Sequence, residues 1–130
     1  MNNEKQAQLI TEIGEMIIDD YLTQNIDWEA LSFVVTLHNG TRRMTGYRYL
    51  KDESYEASTP EEAGDVIRKC RVLIEEMSNN GEGPFVQCLT HINKPDYNIR
   101  LQFEFDNPEI WKPKTFGMNM SEFANLMRPE

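Results

Sequence analysis

The chain has few thiols and little imidazole, with two cysteines and two histidines in 130 residues. Cys70 and Cys88 stand too far apart for zinc-ligand spacing and are too few for a disulfide framework, so both are expected as reduced thiols in the core. Only His38 and His91 can titrate near neutrality. Each adjoins a predicted turn and neither has a partner set, so both are expected at the surface or in turns. The patterns G-x-S-x-G, H-E-x-x-H, G-x-G-x-x-G, C-x-x-C and the Walker loop are all missing. The chain is therefore expected not to be an enzyme, with no catalytic, cofactor or metal site. No apolar run approaches the roughly 18–20 residues of a membrane helix, and Met1-Asn2-Asn3-Glu4-Lys5 does not open a signal peptide, so the expected location is cytoplasmic. Positive charge is scarce as well. Thirteen Lys and Arg against 22 Asp and Glu leave −9 at pH 7, which disfavours direct contact with nucleic acid phosphates.

What is present fits one domain over residues 1–130 with a modest core. From about Asn3 to Gln24, Leu9, Ile10, Ile13, Met16, Ile17 and Tyr21 fall on one helical stripe, with Gly14 inside it. Trp28–His38 and Thr41–Tyr49 read as two strands joined by the hairpin turn Asn39-Gly40. Pairing His38 with Thr41 puts Tyr47 and Tyr49 opposite in parity to Phe33 and Val35. Either Gly46 marks a bulge that sends the tyrosines into the core, or they stand on the exposed face. Lys51–Ser58 lacks periodicity and reads as an acidic, exposed loop. Thr59-Pro60-Glu61-Glu62 has the form of a capping box with proline at the first helical position, and an apolar stripe from Ala63 to Met77 follows. Asn80-Gly81 and Gly83-Pro84 stop that helix.

Pro84–Ile92 reads as a third strand, Asn93–Asp96 as a turn and Tyr97–Phe105 as a fourth strand. In the last, Tyr97, Ile99, Leu101, Phe103 and Phe105 alternate with Asn98, Arg100, Gln102 and Glu104, so one face is covered and the other wet. Ser121–Met127 offers a short terminal helix. The order α-β-β-α-β-β-(α) predicts an α+β fold, a four-stranded antiparallel sheet of two hairpins with helices packed on one face.

The informative chemistry is acidic. Asp19-Asp20 and Glu75-Glu76 are neighbours along helices that point apart, and read as solvated faces. Asp52, Glu53 and Glu56 in one loop, and Glu104, Asp106 and Glu109 at the end of the fourth strand, are expected to make negative patches flanked by Tyr55 and Trp111. Such patches suit a basic protein partner, since complementary charge speeds encounter and a buried aromatic anchors it. The partner-binding set is therefore Asp52, Glu53, Tyr55, Glu56, Asp106, Glu109 and Trp111. An acidic surface of this kind also suits a nucleic-acid mimic that sequesters a DNA-binding protein. A sheet edge or the tyrosine face offers a route to a homodimer.

The run Ile74-Glu75-Glu76-Met77, Asn80-Gly81, Pro84-Phe85, Tyr97-Asn98-Ile99 and Leu101-Gln102-Phe103-Glu104-Phe105 resembles the YezG-like immunity proteins. The likeness spans about Thr59 to Phe105, and the acidic-aromatic tail of that family is here interrupted by Pro108. The resemblance implies an antitoxin that binds and blocks a cognate bacterial toxin domain, often a nuclease, in contact-dependent competition between cells. It brings no catalytic residue with it.

Overall fold

A computed structural model describes residues 4–108, 110–111 and 127–129. The Asn39-Gly40 turn has φ of 49° and 84°, the positive pair a two-residue type I′ hairpin requires. It joins β1 (Ala30–His38) to β2 (Thr41–Tyr49), with His38 opposite Thr41 and Phe33 opposite Gly46 in unbroken register. There is no bulge at Gly46. Glycine is required there because a Cβ would lie 2.2 Å from the Phe33 ring and 2.3 Å from the Ser32 carbonyl oxygen. The next segment is not only a loop. Tyr55–Ala57 forms a short edge strand, β3, paired to β2, with Tyr49 opposite Tyr55 and Arg48 opposite Glu56. Three residues are too few for alternation to reveal them as a strand.

Helix α3 (Ala63–Asn79) carries the chain to β4 (Gln87–Asn93), which pairs with β1, and β5 (Asn98–Glu104) closes the order β3-β2-β1-β4-β5. All four pairings are antiparallel, so the α+β expectation holds with five strands instead of four. α3 ends as expected: Glu82 N–H bonds the Met77 carbonyl, Gly81 N–H bonds the Ser78 carbonyl, and Gly81 has φ 90°. That is a Schellman closure. Its start differs. The helix begins at Ala63, and Glu62 at the cap position makes no side-chain cap bond, so the capping box does not form.

The missing cap comes from a residue distant in sequence. The expected first helix breaks into α1 (Glu4–Asp19) and α2 (Tyr21–Gln24), with Asp20 at the break. Asp20 is buried, and its Oδ1 accepts from Leu22 N at 3.0 Å and Glu61 N at 2.8 Å, while Oδ2 accepts from Glu62 N at 2.9 Å. One carboxylate thus starts α2 and holds the entry to α3, where anionic acceptors are favoured. The solvated reading of Asp19-Asp20 holds for the exposed Asp19 and fails for Asp20. Tyr21 leaves the apolar stripe at the break and stands 72% exposed.

The main core lies between the helices and one sheet face, from Leu9, Ile13 and Ile17 on α1 and Val66, Cys70, Leu73 and Met77 on α3 to Leu31, Phe33, Val35, Cys88 and Ile92 on the sheet. Both thiols are free and buried there, and burial pushes Cys70 up to about 12. α3 lies toward β2 and α1 toward β5, and Lys69 of α3 reaches Glu12 of α1 at 3.1 Å. Gly14 has a purpose in this packing, since a Cβ on it would lie 2.3 Å from Ile99 Cδ1.

The second sheet face is wet along β5, as expected, and covered at the tyrosines, where the sequence leaves the reading open. Tyr47 and Tyr49 stand on it, as parity without a bulge requires, yet they are buried with Val34, Leu89 and Met127, and Trp111 packs against them. His91 is buried there as well, not in a surface turn. Its Nε2–H donates to the Met127 carbonyl at 3.0 Å and its Nδ1 accepts from Arg100 Nη2 at 3.2 Å, the only tautomer both neighbours permit. Arg128 donates to the Glu53 carbonyl at 2.9 Å and lies 4.5 Å from the Tyr49 ring centroid. Among the described residues no helix is long and apolar enough to cross a membrane. The expected helix over Ser121–Met127 lies outside the described residues except for Met127 itself.

Candidate partner interface

The expected partner residues fall into two groups along the chain. Asp52, Glu53, Tyr55 and Glu56 lie in the β2–β3 turn and on β3, at one edge of the sheet. Asp106 follows β5, the opposite edge, four strand spacings or about 19 Å away, whereas Trp111 packs against the same tyrosine cluster as Tyr55. Asp106 also leaves from the other end of the strands, because Asn98 pairs with Asn93 and Glu104 with Gln87. Asp106 therefore stands on a separate surface from the β3-edge residues. Glu109 lies outside the described residues. Trp111 is half-buried against the tyrosine cluster, and its backbone N–H donates to Gln87 Oε1 at 2.9 Å, so it ties the chain to the second face.

Within the first group each side chain has a different state. Asp52 Oδ1 accepts from the Ser54 hydroxyl at 2.5 Å and the Ser54 amide at 3.0 Å, shaping the turn. The Ser54 hydroxyl first, then its amide, hold this exposed carboxyl below its usual range. Glu53 takes φ 70° at the turn. Tyr55 packs edge-on against Tyr47 with centroids 5.7 Å apart. Glu56 is not a spare charge, because Arg48 Nη2 meets its Oε1 at 2.5 Å while Arg48 Nη1 holds the Asp27 carbonyl at 2.6 Å.

The Arg48–Glu56 pair divides two surface clefts. One, of about 680 Å³, opens between the Asp27–Glu29 segment and the β2–β3 turn. Four carboxylates line it, those of Asp27, Glu29, Asp52 and Glu56, with Arg48, Lys51 and Lys94. Arg48 is committed to Glu56, and Lys94 sits over the Trp28 ring at 4.3 Å from its centroid. With Arg48 and Glu56 paired, Asp27, Glu29 and Asp52 stand against Lys51 and Lys94, an excess of one negative charge. The other cleft, of about 400 Å³, is floored by Leu22, Ile26 and Ala57. Leu22 is 38% exposed beside the still more exposed Tyr21.

Sequence reasoning missed Asp27 and Glu29, which lie outside the acidic runs, and missed Tyr21 and Leu22 as surface groups because a continuous helix would have buried the tyrosine. The broken stripe at Asp19-Asp20 was the available signal. His38 bonds its neighbour Asn39 at 3.1 Å at the far end of β1 from Ser32, the partner of His91. Six residues of strand, about 20 Å, keep the histidines from sharing a site. Among the described residues no group of three or more His, Cys, Asp or Glu is placed to hold a metal ion. Such a surface can take up a cationic side chain in the acidic cleft with an apolar contact on Leu22. No protein-family model matches the chain, and no curated protein matches it.

Proposed function

We propose that the protein is a cytoplasmic immunity protein that binds a cognate bacterial toxin domain, a basic protein such as a nuclease, and blocks its active site or substrate surface. The observation that carries this reading is the β3-edge surface, where carboxylates without ion-pair partners among the described residues, Asp27, Glu29 and Asp52, adjoin exposed apolar groups at Tyr21 and Leu22. An apolar anchor inside a charged rim is how protein interfaces are built, and charge complementary to a basic partner steers encounter. The formal charge of −9 and the likeness of the Thr59–Phe105 segment to YezG-like immunity proteins support the same reading.

Inhibition of this kind is steric and electrostatic and needs no turnover. Carboxylates at the cleft occupy the places where substrate phosphates would sit on the toxin, and a standard interface of roughly 800 Å² per partner covers them. Because Glu56 is already paired, Asp52 and Glu53 contribute more to partner affinity than Glu56 does.

The test is a pull-down with tagged protein from the producing organism at about 0.01 M and about 0.15 M salt. The expected result is one stoichiometric basic toxin domain retained at both, whose toxicity in cells is suppressed by the native chain and less by Asp52→Lys/Glu53→Lys or Leu22→Asp. A spread of DNA-binding proteins lost at the higher salt would instead establish the nucleic-acid mimic.

A further inference from the structure

The two sheet edges are unequal. β3 presents three residues, while β5 presents seven in regular extended conformation and, among the described residues, has β4 as its one neighbour. Long open edges recruit further strands, and proteins usually blunt them. The chain beyond β5 next meets the described structure on the second face, at Trp111 against Gln87 and at Met127 against His91, and at neither point lies along this edge. Two of the exposed large apolar residues, Tyr97 and Phe105, directly flank the strand, and Ile99, Leu101 and Phe103 along it are only partly covered.

We propose that β5 is a self-association edge, on which two copies pair antiparallel about a two-fold axis through Gln102 and fuse two five-stranded sheets into one. The strand's own sequence selects this register. With Gln102 on the axis, Arg100 faces Glu104 of the second copy on one face, and Leu101 faces Phe103 and Ile99 faces Phe105 on the other. Every charged position of the strand then meets its opposite twice over, and each apolar position meets an apolar one. Centring on Arg100 or on Glu104 sets like charges together, centring on Leu101 leaves both charges without an opposite, and centring on Phe103 leaves Glu104 facing Gln102 and Ile99 facing Asn107. Cross-strand opposites lie close enough for such pairs to form. Arg100 keeps donors to spare beyond the one it gives His91, and Glu104 Oε1 is left over when Oε2 accepts from the Asp106 and Asn107 amides.

The proposal is independent of the toxin reading and is compatible with it, because β3 lies at the other edge of the sheet. A dimer through β5 carries its two acidic clefts at the outer ends of the joined sheet, each free to hold a partner. A seven-residue edge is about 23 Å long and buries less than a standard interface, so the dimer is weak, with a dissociation constant on the order of 10–100 µM.

Sedimentation of the native chain across that range is expected to show a monomer–dimer equilibrium. Glu104→Arg, checked for folding by circular dichroism, is expected to weaken it tenfold or more, and Arg100→Glu added to it to restore it. If either charge variant fails to fold, single cysteines still decide. Gln102→Cys sits on the axis, where opposing Cα atoms are about 4.5–5.5 Å apart and within disulfide reach, so diamide should cross-link it efficiently. Asn98→Cys should stay uncross-linked, since its two copies lie about 26 Å apart. Cys70 and Cys88 are buried and stay out of the reaction. A native chain that stays monomeric throughout, or Asn98→Cys cross-linking as well as Gln102→Cys, would overturn the proposal.

Discussion

Replacing Asp20 by alanine should destabilise the fold far more than replacing its neighbour Asp19. The Asp20 carboxylate accepts three backbone N–H bonds of 2.8–3.0 Å, one from α2 and two from the turn that enters α3. An N-cap bond of the local kind is worth about 1 kcal/mol. A bond to a charged acceptor is worth about 1.5–3 kcal/mol when buried. Glu61 and Glu62 are themselves exposed, so water can reach their amides after truncation, and the lower figure applies to each. The sum is about 4 kcal/mol for Asp20→Ala. Asp20→Asn keeps one oxygen but turns an amide donor toward a backbone donor, and should cost about 1–2 kcal/mol. For a chain of this size each kcal/mol is about 3–5 °C in Tm. Urea unfolding with Asp20→Ala, Asp20→Asn and Asp19→Ala gives the ranking, and hydrogen exchange should show the Glu61 and Glu62 amides losing protection in the first variant. A loss below about 1 kcal/mol for Asp20→Ala, or an equal loss for Asp19→Ala, would refute the reasoning.

Gly14→Ala should destabilise even though alanine is the better helix former by about 1 kcal/mol, because the new Cβ would meet Ile99; Ile99→Ala in the same chain should recover part of the loss, and urea unfolding of the two singles and the double measures it. The thiols should resist an aromatic disulfide reagent at pH 8 in the native state and react at once in denaturant, since both are buried. Because burial raises Cys70 from 9.0 to about 12 in the folded state, its contribution to stability is whole below about pH 9 and is lost as pH climbs toward 12. Tyr47 and Tyr49, pushed upward mainly by desolvation, add losses of the same sign. A stability that rose with pH across that window would contradict the burial of all three groups.

The features legible in the sequence are those whose cause is local. Asn39-Gly40 dictates the β1–β2 turn because both of its residues must take positive φ, and Asn80-Gly81 closes α3 because the Schellman bonds span only a few residues. The capping box failed for the complementary reason. Thr59 and Glu62 had the right types at the right spacing, but Asp20, 41 residues from Glu61, is a charged acceptor that reaches the same amides from outside the segment. Propensity within a window cannot register a competitor that arrives by tertiary folding. The acidic surface was legible as composition and illegible as geometry: Glu56 reads like Asp52 in the chain, and only the pairing of β2 with β3 shows that Arg48 already holds one and not the other.

The second sheet face shows why parity alone left the exposure of Tyr47 and Tyr49 open, while alternation judged β5 correctly. Polar positions on a strand were taken to face water, since water is the usual partner of a hydroxyl, amide or imidazole. A returning chain segment offers the same partners through its backbone. Gln87 uses its amide N–H on the Thr36 hydroxyl at 3.0 Å and its carbonyl on the Trp111 backbone at 2.9 Å. His91 gives its one N–H to the Met127 carbonyl. Each of these groups is buried without an orphan, because the incoming backbone supplies the missing half of the bond. Between them, Tyr47, Tyr49, Val34 and Leu89 provide the apolar area on which Met127 and Trp111 pack. A strand face rich in tyrosine and in side chains that both donate and accept is thus suited to receive the protein's own chain. By contrast, Asn98, Arg100 and Gln102 on β5 carry the same alternation with no aromatic among them, and remain exposed. The distinction between a wet face and a docked one lies in the aromatic content of the polar positions, and not in the alternation itself.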